Sequence, residues 1–182
     1  MQFESTAIAD VVLIRPRVWQ DARGHLFESW QERSFAAAGL ELRFRQDNHS
    51  LSRRNVLRGL HYQLHRPQGK LVTVVTGCAL DVVVDLRRSS PSFGKWVGVE
   101  LNEDNHQLLW VPPGFAHGFV VHSDSACVLY KCTELYDPPD ERAILWNDPD
   151  LSIEWQLPAG TTPVLSERDR TATRFRDAEC YP

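Results

Sequence analysis

The chain has 182 residues, 42% apolar and 24% charged, enough for one ordinary domain that needs neither disulfides nor a structural metal to hold its core. A formal net charge of -4 argues against a nucleic-acid protein, and no run of about 18 apolar residues exists to span a membrane. The opening Met-Gln-Phe-Glu-Ser-Thr lacks the features of a secretory signal, and cysteines 78, 127, 132 and 180 form no CxxC pair, so free thiols in a reducing cytoplasm are expected. In chain order, the first predicted strand is Val11–Ile14. Ser29-Trp30-Gln31-Glu32 then has the spacing of a capping box, which predicts a short helix over the Ala-rich run that Gly39 ends. Further strands are predicted at Leu71–Thr76, Leu80–Leu86, Trp96–Leu101, Gln107–Val111, Gly118–Val121, Cys127–Thr133 and Ala143–Trp146. Within Leu80–Leu86 every even position is apolar while positions 81 and 85 are Asp, and Val97, Val99 and Leu101 share one face of their strand. From Pro158 the chain reads as irregular, with one helical turn after Ser166. No repeat or linker divides it, so one domain is expected over 1–182. Many short strands with one early helix predict an all-β antiparallel sandwich or barrel. No GxGxxG exists, and Gly-Lys at 69–70 and 94–95 lacks P-loop spacing.

Charge is unevenly spread. Between Asp47 and Asp81 there is no acidic residue, yet the segment carries Arg53, Arg54, Arg58, Arg66 and Lys70 with His49, His61 and His65. Such a run is either a solvated basic loop or a site for a phosphorylated ligand, to which Arg offers two-pronged contacts. If Arg58–Gln63 is a strand, His61, Gln63 and His65 face one way and Leu60, Tyr62 and Leu64 the other.

Pro112-Pro113-Gly114-Phe115-Ala116-His117 delivers a second histidine onto the start of a strand. Its Pro-x-Gly-x-x-His spacing matches the last part of the metal-binding motif of cupin jelly rolls. The first part fails: Gln63 stands where a second His is needed, and the next ionisable groups are Arg66 and Lys70. A cation meets positive charge there, so the barrel is expected without its metal. A metal-free pocket with His61, Lys70 and Tyr130 suits proton transfer next to a carbonyl, with histidine as base and an ammonium at the developing oxyanion.

Taken together, several motifs resemble one family: Asp21-x-Arg23-Gly24 with Phe27-Glu28, Gln46-Asp47-Asn48-His49-Ser50, Arg58–Gln63, Gly69-Lys70, Pro113–Phe119 and Ser166–Asp169. The chain is identified by them as a member of the dTDP-4-dehydrorhamnose 3,5-epimerases, metal-free cupins, over about residues 3–182. The resemblance implies a cupin-type antiparallel jelly-roll barrel and no cofactor. It implies His61 as base with Asp169 as its partner, Lys70 at the C4 keto oxygen, and Tyr130 as acid on the opposite face. Arg58 and His117 then line the sugar and phosphate region. Arg23, Phe27, Glu28, Gln46, Asp47 and Asn48 belong to the nucleotide side, with Tyr136 stacking on thymine and Glu141 and Arg168 completing the rim. The substrate implied is a small dTDP-sugar, and the assembly a homodimer whose N-terminal segment reaches the neighbouring subunit. Arg168 stands where Lys is expected before Asp169. Three rivals share parts of the pattern: a single-carbon epimerase, a non-catalytic nucleotide-sugar-binding module, and a metal-dependent cupin.

Overall fold

The computed structural model describes residues 1–182. Its strands are β1 (Gln2–Ser5), β2 (Val12–Arg15), β3 (Val18–Asp21), β4 (Gly24–Phe27), β5 (Gln46–Arg53), β6 (Leu57–Gln63), β7 (Lys70–Thr76), β8 (Cys78–Asp85), β9 (Trp96–Asn102), β10 (Leu108–Val111), β11 (Phe115–Val121), β12 (Ser125–Cys132) and β13 (Glu141–Ala143). Two short α-helices, α1 (Glu32–Ala37) and α2 (Glu167–Arg170), complete the elements that matter here. Six strands in the order β1-β2-β10-β7-β12-β5 form one antiparallel sheet, five in the order β13-β6-β11-β8-β9 form a second, and β3–β4 is a separate hairpin. The all-β, cupin-type expectation holds.

The two-residue period of the strands decides which side chains meet. Val72, Val74, Leu109, Val111 and Val128 of the first sheet pack against Ala79, Val83, Leu101, Phe115, Phe119 and Val121 of the second. The alternate residues of β8, Leu80, Val82 and Val84, turn outward onto a second cluster closed by Ile144, Leu151, Trp155 and Ala178 of the C-terminal stretch. Phe35 of α1 covers the outer face of the six-stranded sheet with Ile14, Leu71, Leu108 and Trp110. Strand β8 is therefore buried on both faces, and its two acids are almost wholly enclosed (Asp81 1%, Asp85 0% exposed). Asp81 accepts from His117, while Asp85 accepts from Arg87, Ser90 and Ser92 and so ties down the loop after β8.

Several predicted boundaries shift. Helix α1 is capped by Gln31, whose side chain accepts from the Ser34 amide at 2.7 Å, and not by Ser29. Trp30 is held in the third cluster, edge-on to Phe44, so the chain turns helical only after it. Gly39, at φ +82, does end the helix. The strand expected at Ala143–Trp146 is confined to Glu141–Ala143, with Ile144 joining Thr173 by a single bridge. The helical turn after Ser166 is present as α2.

Strand β6 carries one irregularity with a consequence for the site. Its pairing with β11 runs His61 to His117 but Arg58 to Phe119, so Gly59 and Leu60 together oppose Gly118. In a regular strand Arg58 and His61, three apart, face opposite ways. The extra residue brings both to the inner face while Leu57, Leu60 and Tyr62 keep to the second cluster.

Candidate active site

A cavity of about 370 Å³ opens between the sheets. The six-stranded sheet contributes Gln46, Asn48 and Ser50 from β5, Lys70 from β7 and Tyr130 from β12. The five-stranded sheet contributes Arg58 and His61 from β6, His117 and Phe119 from β11 and Glu141 from β13. Gln68, Tyr136, Ser166, Arg168 and Asp169 close the mouth.

Of the expected residues, the structure gathers His61, Lys70, Tyr130, Asp169, Gln46, Asn48, Arg58, His117, Tyr136, Glu141 and Arg168 around this one cavity. Four lie elsewhere. Asp47 is on the outward face of β5, ion-paired with Lys131 at 3.0 Å, because its two neighbours take the inward positions. Arg23, Phe27 and Glu28 belong to the β3–β4 hairpin or its exit; Arg23 pairs only with Asp21 and Phe27 stacks beside His25 and His106. His65 does not share the face of His61: β6 ends at Gln63, and the exposed His65 gives its backbone amide to Asp140. The basic run splits between the two readings, since Arg54 and Arg66 are surface ion pairs with Asp124 and Asp137 while Arg58 and Lys70 face the cavity.

Ser50, Gln68, Phe119, Ser166 and the supporting Asp81 were not foreseen as site residues. Ser166 had a legible signal: it caps α2, and its hydroxyl both receives the Asp169 amide and donates to Asp169 Oδ2 at 2.8 Å. The other Asp169 oxygen accepts from His61 Nε2 at 2.5 Å. A carboxylate can only accept, so the imidazole proton sits on Nε2 and Nδ1 is left as the basic nitrogen, 4.0 Å from Glu141. Burial pushes the Asp169 carboxyl up, but the bonds from His61 and Ser166 and the Arg168 charge outweigh it and hold it below the ordinary range.

His117 is fixed in the same way, with Nε2 donating to Asp81 at 2.8 Å. Arg58 is steered by its Nε bond to Ser52 at 3.0 Å. Lys70 is 9% exposed; burial lowers its ammonium below the usual value, opposed at longer range by Cys132, Glu141 and Asp81. Burial, reinforced by Cys132 and Glu141 against the Arg58 charge, raises the Tyr130 phenol and keeps it protonated. At the mouth, Tyr136 donates to Glu141 at 2.6 Å, and Arg168 pairs with the same carboxylate. The arrangement can therefore take a proton at His61, meet an oxyanion with Lys70, and give a proton from Tyr130 on the facing sheet. His61 is engaged with Asp169, His117 with Asp81 and Glu141 with Arg168, and Lys70 adds positive charge, so the donor set fits a metal poorly.

Residues 5–177 match the family model of dTDP-4-dehydrorhamnose 3,5-epimerase. A dTDP-4-dehydrorhamnose 3,5-epimerase of Pseudomonas aeruginosa is 52% identical over the whole of both chains. The crystal structure of an epimerase from Legionella pneumophila, in complex with dTDP-4-keto-L-rhamnose, superposes with a TM-score of 0.94 at 44% identity, covering 98% of this chain and 94% of that one. A 3'-monoepimerase from Streptomyces bikiniensis in complex with dTDP-quinovose superposes at 0.88 with 33% identity, covering 94% and 87%. On the strength of a match that spans nearly the whole sequence and the whole sandwich, the chain belongs to the dTDP-4-dehydrorhamnose 3,5-epimerase family.

Proposed function

We propose that this chain inverts C3 and C5 of dTDP-4-dehydro-6-deoxy-D-glucose to give dTDP-4-dehydro-L-rhamnose, as one working unit over 1–182. The observation that carries the reading is a base and an acid held by opposite sheets of one cavity that also contains a buried ammonium. The C4 ketone of such a substrate acidifies the C–H bonds on both sides, so the carbon acid needs no redox partner. His61 Nδ1 removes the proton, and the electron pair moves onto the keto oxygen, where Lys70 meets the new charge. Tyr130 returns a proton to the opposite face, and solvent resets both groups before the second carbon reacts. Asp169 holds the His61 tautomer and balances the imidazolium. Arg58 and His117 serve the sugar and phosphate end, Gln46 and Asn48 the nucleoside, and Tyr136 stacks on the base behind the Glu141–Arg168 rim.

The same reading includes a homodimer. Arg23, Phe27 and Glu28 lie away from their own chain's cavity, on a hairpin whose Trp19 and Leu26 are 44% and 66% exposed. A second copy gives that hairpin a surface to cover and brings these residues toward the neighbouring site. Asp47 is assigned to structure and not to ligand. No helix is long and apolar enough to cross a membrane.

The test is NMR of the 4-keto sugar nucleotide with enzyme in D2O, trapping the product with the downstream reductase. Deuterium at C3 and C5 with a rhamno-configured product is the expected result. Label at one carbon points to a single-carbon epimerase, the activity of the Streptomyces relative, and no label despite nucleotide binding overturns the chemistry. His61→Ala is expected to abolish both exchange and turnover; near-normal turnover removes His61 from its role.

A further inference from the structure

Cys78 opens β8, Glu100 lies in β9 and His122 follows β11, three adjacent strands of the five-stranded sheet. The period that sends Asp81 and His117 into the cavity sends these three to the other face of the sheet. There they extend the line of Leu80, Val82 and Val120 in the second cluster, at the end capped by Trp155. One ligand atom from each (a thiol sulfur, a carboxylate oxygen and an imidazole nitrogen) lies within 4.8 Å of the other two.

Two contacts around this group are of the kind that orient metal ligands. The Trp155 carbonyl accepts from His122 Nε2 at 3.2 Å, which places the ring proton there and leaves Nδ1 as the nitrogen able to ligate. Asn102 donates to Glu100 Oε1 at 2.9 Å and helps to hold the carboxylate in place.

We propose that Cys78, Glu100 and His122 form a structural site for a divalent cation of the zinc class, with water as fourth ligand, binding β9 to β8 and to the turn after β11. The mixed sulfur, nitrogen and oxygen set is what a borderline cation takes in tetrahedral geometry, whereas calcium and magnesium take oxygen alone. Bonds of about 2.0–2.3 Å need ligand atoms about 3.3–3.8 Å apart. The exposed Glu100 side chain is free to rotate toward the other two ligands. The sheet stands between this site and the catalytic cavity, so occupancy acts on stability and leaves turnover unchanged.

The experiment uses the purified chain, stripped with a chelator and titrated with Co2+ and then Zn2+. Expected are one Co2+ per chain, a thiolate-to-cobalt charge-transfer band displaced by Zn2+, and a higher melting temperature with Zn2+. Cys78→Ser abolishes the band. Cys127→Ser, which breaks the other thiol–imidazole contact (Cys127 to His49, 2.8 Å), keeps it. Glu100→Gln, at an exposed position that leaves folding intact, weakens Co2+ binding by about tenfold or more. The proposal is overturned if the native chain shows no thiolate band, if the band survives Cys78→Ser, or if Cys127→Ser removes it instead.

Discussion

Gly59→Ala tests whether the bulge in β6 is what brings His61, the proposed base, and Arg58 to one face. A Cβ added at Gly59 meets Gly118 Cα at 2.5 Å and the His117 carbonyl at 3.1 Å, and both contacts are backbone. Gly59 also has φ +135, a conformation an L residue holds only under strain. Overpacking of this kind costs about 1–3 kcal/mol and the strained backbone about 1–3 kcal/mol more. Gly24→Ala is the control, because Gly24 shares the strained backbone (φ +125) but has nothing within 4 Å of an added Cβ. For a chain of this size each kcal/mol moves the melting temperature by about 2–4 °C, so Gly59→Ala should melt about 4–24 °C lower and Gly24→Ala about 2–12 °C lower. The enzyme can relieve the clash by sliding β6 against β11, which turns either Arg58 or His61 away from the cavity. A misplacement of about 1 Å costs about 100-fold in rate, so deuterium wash-in should fall by that order in Gly59→Ala at temperatures where it is folded. Calorimetry and D2O exchange, run on both variants, read the two effects. Equal melting temperatures for Gly59→Ala and Gly24→Ala, with exchange intact, would refute the reasoning.

Other consequences are open to the same assays. Lys70→Met should lower turnover by about 10²–10³-fold while raising the melting temperature, because a buried ammonium with no paired carboxylate is replaced by an apolar chain of similar size; a lower melting temperature contradicts this. Asp169→Asn should cut turnover by about 10³–10⁴-fold with nucleotide affinity unchanged, since the amide no longer fixes the imidazole proton on Nε2; turnover within about tenfold of native would show that Asp169 does not set the tautomer. Burial alone would raise the Asp85 carboxyl, but its bonds from Arg87, Ser90 and Ser92 hold it at about 2 against an ordinary 3.8. That gap corresponds to roughly 2 kcal/mol of stability, fully present above about pH 4 and lost as pH falls toward 2. Denaturant titrations between pH 5 and about 2 should show this loss in the native chain and a flatter acid limb in Asp85→Asn; parallel limbs would rule out Asp85 as their source.

The strands that lie deepest in the sandwich were the easiest to read. In β7, β8, β10 and β12, runs of Val and Leu mark both the strand and the face that packs, and Val97, Val99 and Leu101 lean on the core as their spacing says. Strand β5 was missed because its inward side chains are polar, Gln46, Asn48 and Ser50 on a wet cavity and Ser52 beneath Arg58, and supply no apolar alternation. The β3–β4 hairpin was missed for a related reason, since Val18–Phe27 packs little of its own surface against the rest of the chain. Motif order identified Lys70, Tyr130 and Asp169, which lie far apart in sequence yet share one cavity, but it could not tell Asp47 from its neighbours. Only the register of β5 decides that one looks out and two look in. Nor does spacing announce the bulge: Arg58 and His61 are three apart, and their shared face depends on an extra residue that the pattern alone does not count.

Because the proposed base rides on one sheet and the proposed acid on the other, the gap a sugar ring must bridge is a property of how the sandwich is stuffed. Val83 and Val128, from the two facing sheets, hold them apart and act as spacers. Trimming one of them changes the reach between the two proton-moving groups without altering any side chain that touches ligand. Interior volume is thus a tuning variable for stereochemistry, and variants that shift the balance between inversion at one carbon and at two belong as much in this hydrophobic filling as in the pocket wall.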